Sequence, residues 1–387
     1  MLRDRLRILF GGACARVPGQ GGLDWVVLQY VLGLRRLGHD VLLVEPVSAS
    51  DLRPDGADLA ESENALHLQR LADSFGLRGA AALVLVDGRQ SAGLPYAQVE
   101  RYAREADLVI DIAGGLFGTG LLASPAVRLY LDLDPGFTQL WHAVEGIDMR
   151  LDGHTHFATV GLAFDRAADT IPRCGREWIT TPQPVVLDQW PFAERLERDA
   201  WTTVANWRGY GSIQINGTFF GQKAHSLRRL IDLPRRTAAP FELALAIDPG
   251  ELDDLAALAE GGWHLVDPAA VAGSAQAYRR FIQGSRGELG VAKSGYVESR
   301  CGWFSDRSAC YLASGRPVIA QETGFSEVLP VGAGLFSFES AEDVEAALEE
   351  LNVDYDRHRR AARDMAEEHF DSDRVLRRLL TTLGAAA

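Results

Sequence analysis

A chain of 387 residues exceeds what one ordinary hydrophobic core encloses, so two domains are expected, and 47% hydrophobic with 24% charged residues places it among folded proteins rather than disordered or fibrous ones. The formal charge of −14 sets an expectation of no nucleic-acid partner, because no global basic field is present to neutralise phosphates. Cys14, Cys174, Cys301 and Cys310 are scattered without a CxxC pair, which suggests neither a zinc site nor a disulfide scaffold. No run approaches the roughly 20 apolar residues of a membrane span, and Met1 to Phe10 has no signal-peptide core, so a cytoplasmic protein is expected.

Arg7–Phe10 reads as a short apolar strand running into Gly11-Gly12. A loop ending in Gly19-Gln20-Gly21-Gly22 follows, then a helix on which Leu23, Val27, Tyr30, Val31, Leu34 and Leu37 recur at three- and four-residue spacing. Arg35 and Arg36 suit its C-terminus and Gly38 its stop, and Val41–Val44 is a second buried strand. Strand, glycine-rich loop, helix and strand make a βαβ unit, which implies a parallel sheet.

Residues 108–112 and 127–131 continue the strand pattern, with 157–162 a weaker candidate. The proline- and tryptophan-containing stretch 182–200 has no sustained period and suits an interdomain linker, so the expected division is 1–188 and 189–387. The pattern then restarts with strands at 201–206, 241–247, 264–266, 289–293, 317–320 and 335–338. Ser340-x-x-Asp343 resembles a capping box before a helix carrying Val344, Leu348 and Leu351, and Val375, Leu376, Leu379, Leu380 and Leu383 mark a terminal amphipathic helix.

The segment Ser299 to Ala320 combines a glycine- and aromatic-containing loop, a helix capped by Ser305, a Gly-Arg-Pro turn and a buried strand. A loop that delivers the free N–H groups of a helix start is a phosphate-binding device. Asp306, just after the cap, is a candidate acceptor for ribose hydroxyls or simply a dipole-stabilising acid. Ser305, Arg307 and Ser308 are candidates for a diphosphate. Asp132-Leu133-Asp134-Pro135-Gly136 ends a strand; Asp134 is either a general base or the start of an Asp-Pro-Gly turn. His154 and His156 share a face if they lie on a strand, and Asp24 stands at the first helix start as a possible catalytic or capping carboxylate.

Gly21 through Val41, with its Gly-His-x-Val turn, is similar to the first loop and helix of GT-B glycosyltransferases, especially the family 4 group of bacterial enzymes. The stretches Ala313–Ala320, Gly324–Leu329 and Gly334–Phe336, and the tail Glu367-Glu368-His369-Phe370, resemble the donor-binding half of the same group. The resemblance implies an α/β protein of two Rossmann-like domains facing a cleft, with a C-terminal helix packing back. It implies transfer from a nucleoside diphosphate sugar, UDP- or dTDP-linked, with no cofactor or metal. The acceptor it suggests is a small metabolite or natural product, handled by a monomer or homodimer. On this resemblance Lys223 would bind the donor diphosphate, with Lys293 and Arg286 as second candidates and Gly21 and Gly22 approaching from the other domain. Glu322, Thr323, Gly324 and Phe325 would face the donor sugar. The catalytic candidates are Asp134, His156 and Asp24.

One departure is visible. The family places two glutamates eight positions apart where this chain has Gly302 and Cys310, whereas Glu298 and Asp306 show that spacing four residues upstream. A nucleotide-sugar epimerase and a non-catalytic binding protein of the same shape therefore stand as alternatives.

Overall fold

The computed structural model describes residues 5–86, 88–167 and 171–385. In the N-terminal half eight strands form one sheet: β1 (Arg7–Gly11), β2 (Asp40–Val47), β3 (Ala81–Leu85), β4 (Ser91–Gly93), β5 (Leu108–Ile112), β6 (Val127–Asp132), β7 (His156–Thr159) and β8 (Trp178–Thr180). Their order is β4-β3-β2-β1-β5-β6-β7-β8, parallel except for the short edge strand β4. Ile8, Leu9 and Phe10 are wholly buried, as expected of a central strand covered on both faces. The chain leaves β1 toward β2 on one side and β5 lies on the other, so the order reverses at β1 and opens a crevice at the carboxyl ends of the strands.

The C-terminal half repeats this plan with β9 (Arg198–Asn206), the hairpin β10 (Ile213–Ile215) and β11 (Thr218–Phe220), then β12 (Phe241–Ala246), β13 (His264–Val266), β14 (Ser285–Gly290), β15 (Val318–Gln321) and β16 (Leu335–Phe338). The six long-range strands are all parallel, ordered β13-β12-β9-β14-β15-β16, and reverse at β9. Residues 181–197 connect the two sheets, and the division placed at residue 188 falls inside that connection.

Several elements differ from the sequence expectation; the short strands β4 and β8 were not foreseen, and the candidate at 157–162 lies at 156–159. β3 is a buried strand that the reading passed over. The strand expected at 289–293 lies at 285–290, because Arg286 and Glu288 interrupt its apolar pattern and Gly287 is needed where a Cβ would stand 2.4 Å from the Trp201 ring. The loop after β9 contains a hairpin closed by Asn216-Gly217, both at positive φ, as a tight antiparallel turn requires.

Capping follows the sequence closely. Ser340 Oγ accepts from Asp343 N at 3.2 Å while the Asp343 carboxylate accepts from Ser340 N at 2.9 Å. Ser305 Oγ accepts from Arg307 N at 3.3 Å. The helix Ser372–Thr382 crosses back to the N-terminal half and packs on the helix Gly21–Arg36. A Cβ on Gly33 would stand 2.6 Å from Leu376 Cδ1 and 3.0 Å from Ser372 Cβ, so the two helices approach closely here. Arg36 pairs with Asp373 beside it.

Candidate active site

The two switch points face one cavity of about 840 Å³. Gly22, Leu23, Ile112, Asp134 and Trp141 line it from the N-terminal half; Asn206, Tyr210, Lys223, Lys293, Trp303 and Asp306 line it from the other. Most of these residues sit just beyond strand ends, where loops are free to present side chains and the strands hold them in place.

Lys223 opens the helix Lys223–Leu227 after the hairpin. Its ammonium is buried and donates to the Val291 carbonyl. Burial pushes its pKa well below the ordinary lysine value, and the positive charges of Arg307 and Lys293 push the same way against the Glu288 carboxylate. A cation held in this state gains most from an incoming anion. Arg307 is anchored underneath: its Nε contacts Glu288 Oε1, and its Nη1 donates to the Val204 carbonyl at 2.7 Å. Arg307 Nη2 and Glu288 Oε2 are buried without a hydrogen-bond partner among the described residues. Asp306 lines the cavity, and burial raises its carboxyl pKa, partly offset by Arg307.

The two carboxylates at the end of β6 have different tasks. Asp132 is buried and accepts from Thr138 Oγ1 at 2.7 Å, Thr159 Oγ1 at 2.8 Å, Gln139 Nε2 at 3.0 Å and Asp134 N at 3.0 Å. It builds the turn. Asp132→Ala strands these donors and should lower stability by about 3 kcal/mol, read as a shifted denaturant midpoint. Asp134 is carried on that turn into the cavity. Its Oδ1 receives Lys293 Nζ at 2.8 Å and the hydroxyls of Tyr210 and Tyr296. Burial alone would raise its pKa, but Lys293 and the two hydroxyls outweigh it and hold the carboxyl below its ordinary range.

Of the residues expected from the sequence, the fold brings Asp134, Lys223, Lys293, Ser305, Asp306, Arg307 and Gly22 to the cavity. The others stand outside its lining. His156 begins β7, opposite Leu129, at the end of the sheet away from the cavity. His154 is buried and pairs with Asp111 at 3.1 Å. Asp24 is buried and pairs with His67 at 2.6 Å on the helix Glu63–Ser74. Gly21 is a domain contact, since a Cβ would stand 2.2 Å from the Ser274 carbonyl oxygen. Ser308 is buried against Gly290. Arg286 pairs with Asp199 and bonds Asn352 at the opposite end of β14.

The expected sugar-facing segment is also structural. Glu322 Oε1 accepts from Gly324 N, Thr323 Oγ1 donates to the Trp303 carbonyl at 2.6 Å, and Phe325 packs on Phe304. The segment braces the loop 301–303 from behind. Gly324 itself sits at φ +95° against the Arg300 carbonyl.

The loop 301–303 explains the missing glutamate. Leu162 N donates to the Gly302 carbonyl and Ala163 N to the Cys301 carbonyl, both at 3.1 Å, across the two halves. A Cβ on Gly302 would stand 2.2 Å from Ala163 N. Position 302 is a backbone junction between the domains, with no room for a side chain. At the second position, Cys310 is buried and its sulfur receives Gln29 Nε2 at 3.5 Å.

Sequence reasoning missed the aromatic wall. Tyr296 and Trp303 stack at 4.4 Å between centroids, and Trp141 meets Tyr210 edge-on at 4.5 Å. Trp141 and Tyr210 come from different halves, so no local spacing announces their meeting. The run Trp207-Arg208-Gly209-Tyr210-Gly211, with a tyrosine set between glycines just after a strand, was the available signal.

No family model and no curated protein matches this sequence. Solved structures do match over nearly its whole length. An alpha-glucosyltransferase in complex with UDP-glucose and DNA containing an abasic site superposes with a TM-score of 0.61 at 12% identity, covering 98% of this chain and 100% of that one. Anabaena HepE in complex with UDP-glucose superposes with a TM-score of 0.59 at 13% identity, covering 99% and 100%. The fold is GT-B. The GT-B comparison also corrects one expectation. The alpha-glucosyltransferase was solved on DNA, again with a 13-mer containing an HMU base, so total charge does not exclude a nucleic-acid partner for this architecture. Electrostatic contact with phosphates is made by a local face, which a net charge does not describe. The small-metabolite acceptor inferred alongside is withdrawn with it. No helix among the described residues is long and apolar enough to cross a membrane.

Proposed function

We propose that the GT-B cleft binds a nucleoside diphosphate sugar and transfers its glycosyl group to an acceptor hydroxyl, with protein cations rather than a divalent ion receiving the leaving diphosphate. The observation that carries this reading is the buried Lys223 ammonium in the same cavity as the start of the helix Asp306–Ala313 and, across it, the Asp134 carboxylate. Lys223, supported by Arg307, would take charge that develops on the departing diphosphate, inside a cavity where a fixed positive charge acts strongly. Asp306 would accept from the ribose hydroxyls. Asp134, fixed by Asp132 through the turn, would accept the proton of the attacking hydroxyl through Oδ2, the oxygen that does not receive Lys293, Tyr210 and Tyr296. The apolar and aromatic wall of Leu23, Ile112, Trp141 and Trp303 would keep water from the reacting carbon.

UDP is the first nucleotide to test, because UDP-glucose occupies both neighbours. Calorimetric titration with UDP should give saturable one-to-one binding. Released UDP should then appear from UDP-glucose only when an acceptor is supplied, from a panel that includes double-stranded DNA. A cleft that binds neither UDP nor any other nucleoside diphosphate sinks the proposal, and conversion of donor alone to its epimer replaces it with an isomerase.

A further inference from the structure

The cavity is spanned at one point by four side chains drawn from both halves. Asp134 belongs to the turn after β6, whereas Tyr210, Lys293 and Tyr296 follow β9 and β14. Three donors from the C-terminal half converge on a single oxygen of the N-terminal half: Lys293 Nζ at 2.8 Å, and the two tyrosine hydroxyls. The same ammonium lies 3.8 Å from the Tyr210 ring centroid, so it is held by a face and an anion together. Phe137, next on the Asp134 turn, meets the rings of Tyr210 at 5.2 Å and Tyr296 at 5.4 Å and seals the cluster from below. Asp134 Oδ2 accepts none of these bonds.

This geometry ties two properties that are usually separate. The three donors sit on the second half, so they reach Asp134 Oδ1 only when the halves are together. They also fix which way the carboxylate turns, and therefore where its second oxygen lies. We propose that Lys293, with Tyr210 and Tyr296, is a positioning residue that sets the Asp134 carboxylate for proton acceptance only in the closed cleft, making domain closure and readiness of the base one event. This rests on the reading of Asp134 as the proton acceptor.

Solution scattering and hydrogen–deuterium exchange on the whole chain test the contact without any substrate. Lys293→Met keeps most of the unbranched stem and loses the charge; it should enlarge the radius of gyration and speed exchange about tenfold around Asp134 and Tyr210, leaving the strands far from the cleft unchanged. Lys293→Arg should restore most of the closure. The double variant Asp134→Asn/Lys293→Met should exchange no faster than Lys293→Met, since both changes break one contact. In turnover with UDP-glucose, Lys293→Met should depress kcat with the donor KM nearly unchanged. Wild-type scattering and exchange in Lys293→Met, or failure of arginine to restore closure, overturns the proposal. A raised donor KM with preserved kcat also overturns it, by making Lys293 a ligand of the donor. Absence of UDP binding by the unaltered protein counts against the transferase reading alone, while scattering and exchange still judge the cross-domain contact.

Discussion

Lys223→Met should weaken UDP binding and lower kcat/KM for UDP-glucose by about 100-fold or more, the scale seen when one preorganised charge donor is removed from a transition-state site. The protein should stay folded, because the methionine keeps the buried stem and the lost bond is a single contact to Val291. A second readout separates a phosphate ligand from a structural lysine. In the free protein, burial and the neighbouring cations hold the Lys223 ammonium well below its ordinary pKa. A bound diphosphate places negative charge beside it and raises that pKa again, so binding takes up a proton wherever the free lysine is partly neutral. Affinity for UDP should therefore fall as pH rises through that range. Calorimetry in buffers of different ionisation enthalpy reads the uptake directly, and Lys223→Met should abolish it. Equal proton uptake in wild type and variant would assign the role elsewhere.

Gly302→Ala should be strongly destabilising for so small a substitution. The residue sits at φ +76°, which disfavours any side chain, and the new Cβ would lie 2.2 Å from the Ala163 nitrogen. Left-handed strain of about 1–2 kcal/mol adds to the weakening of two backbone bonds across the junction, for a total of about 3 kcal/mol. Thermal unfolding should shift down by several degrees, with exchange rising in residues 161–163 and 301–303. An unchanged melting curve would show that the junction relaxes freely.

These two residues show what the sequence makes legible. Lys223 follows a glycine-bearing loop at the start of a helix, and its expected place at the cleft came from that local order together with the family resemblance. Ser305 and Asp306 were readable for the same reason, because a cap and a first turn are local events. The parallel sheets and most of their apolar strands also followed from period and spacing, while the return of the terminal helix followed from the family resemblance. The rest depends on meetings between distant segments. Gly302 looked like a lost carboxylate, and only the approach of Ala163 from the other half shows why glycine is required there. Glu322 to Phe325 carried the expected pattern yet turn inward to brace a loop. His156 had the right chemistry at the wrong end of its strand, since a residue type says nothing about which end of a sheet it occupies. Asp134 was visible as a carboxylate in a turn, but its three partners come from segments 76 to 162 positions away.

The helix Ser372–Thr382 has a consequence for how this protein is made. It completes the packing of a helix whose Arg36 lies 337 positions earlier in the chain than its partner Asp373. During synthesis the N-terminal sheet can pair its strands early, as domains generally do. The Gly33 face of its first helix must nevertheless stay open to solvent until almost the whole described chain has emerged from the ribosome. For that interval, at about 5–20 residues per second, the nascent half carries an uncovered apolar stripe. Chains released before residue 372 should therefore be recognised by chaperones and proteases even though both sheets are fully encoded.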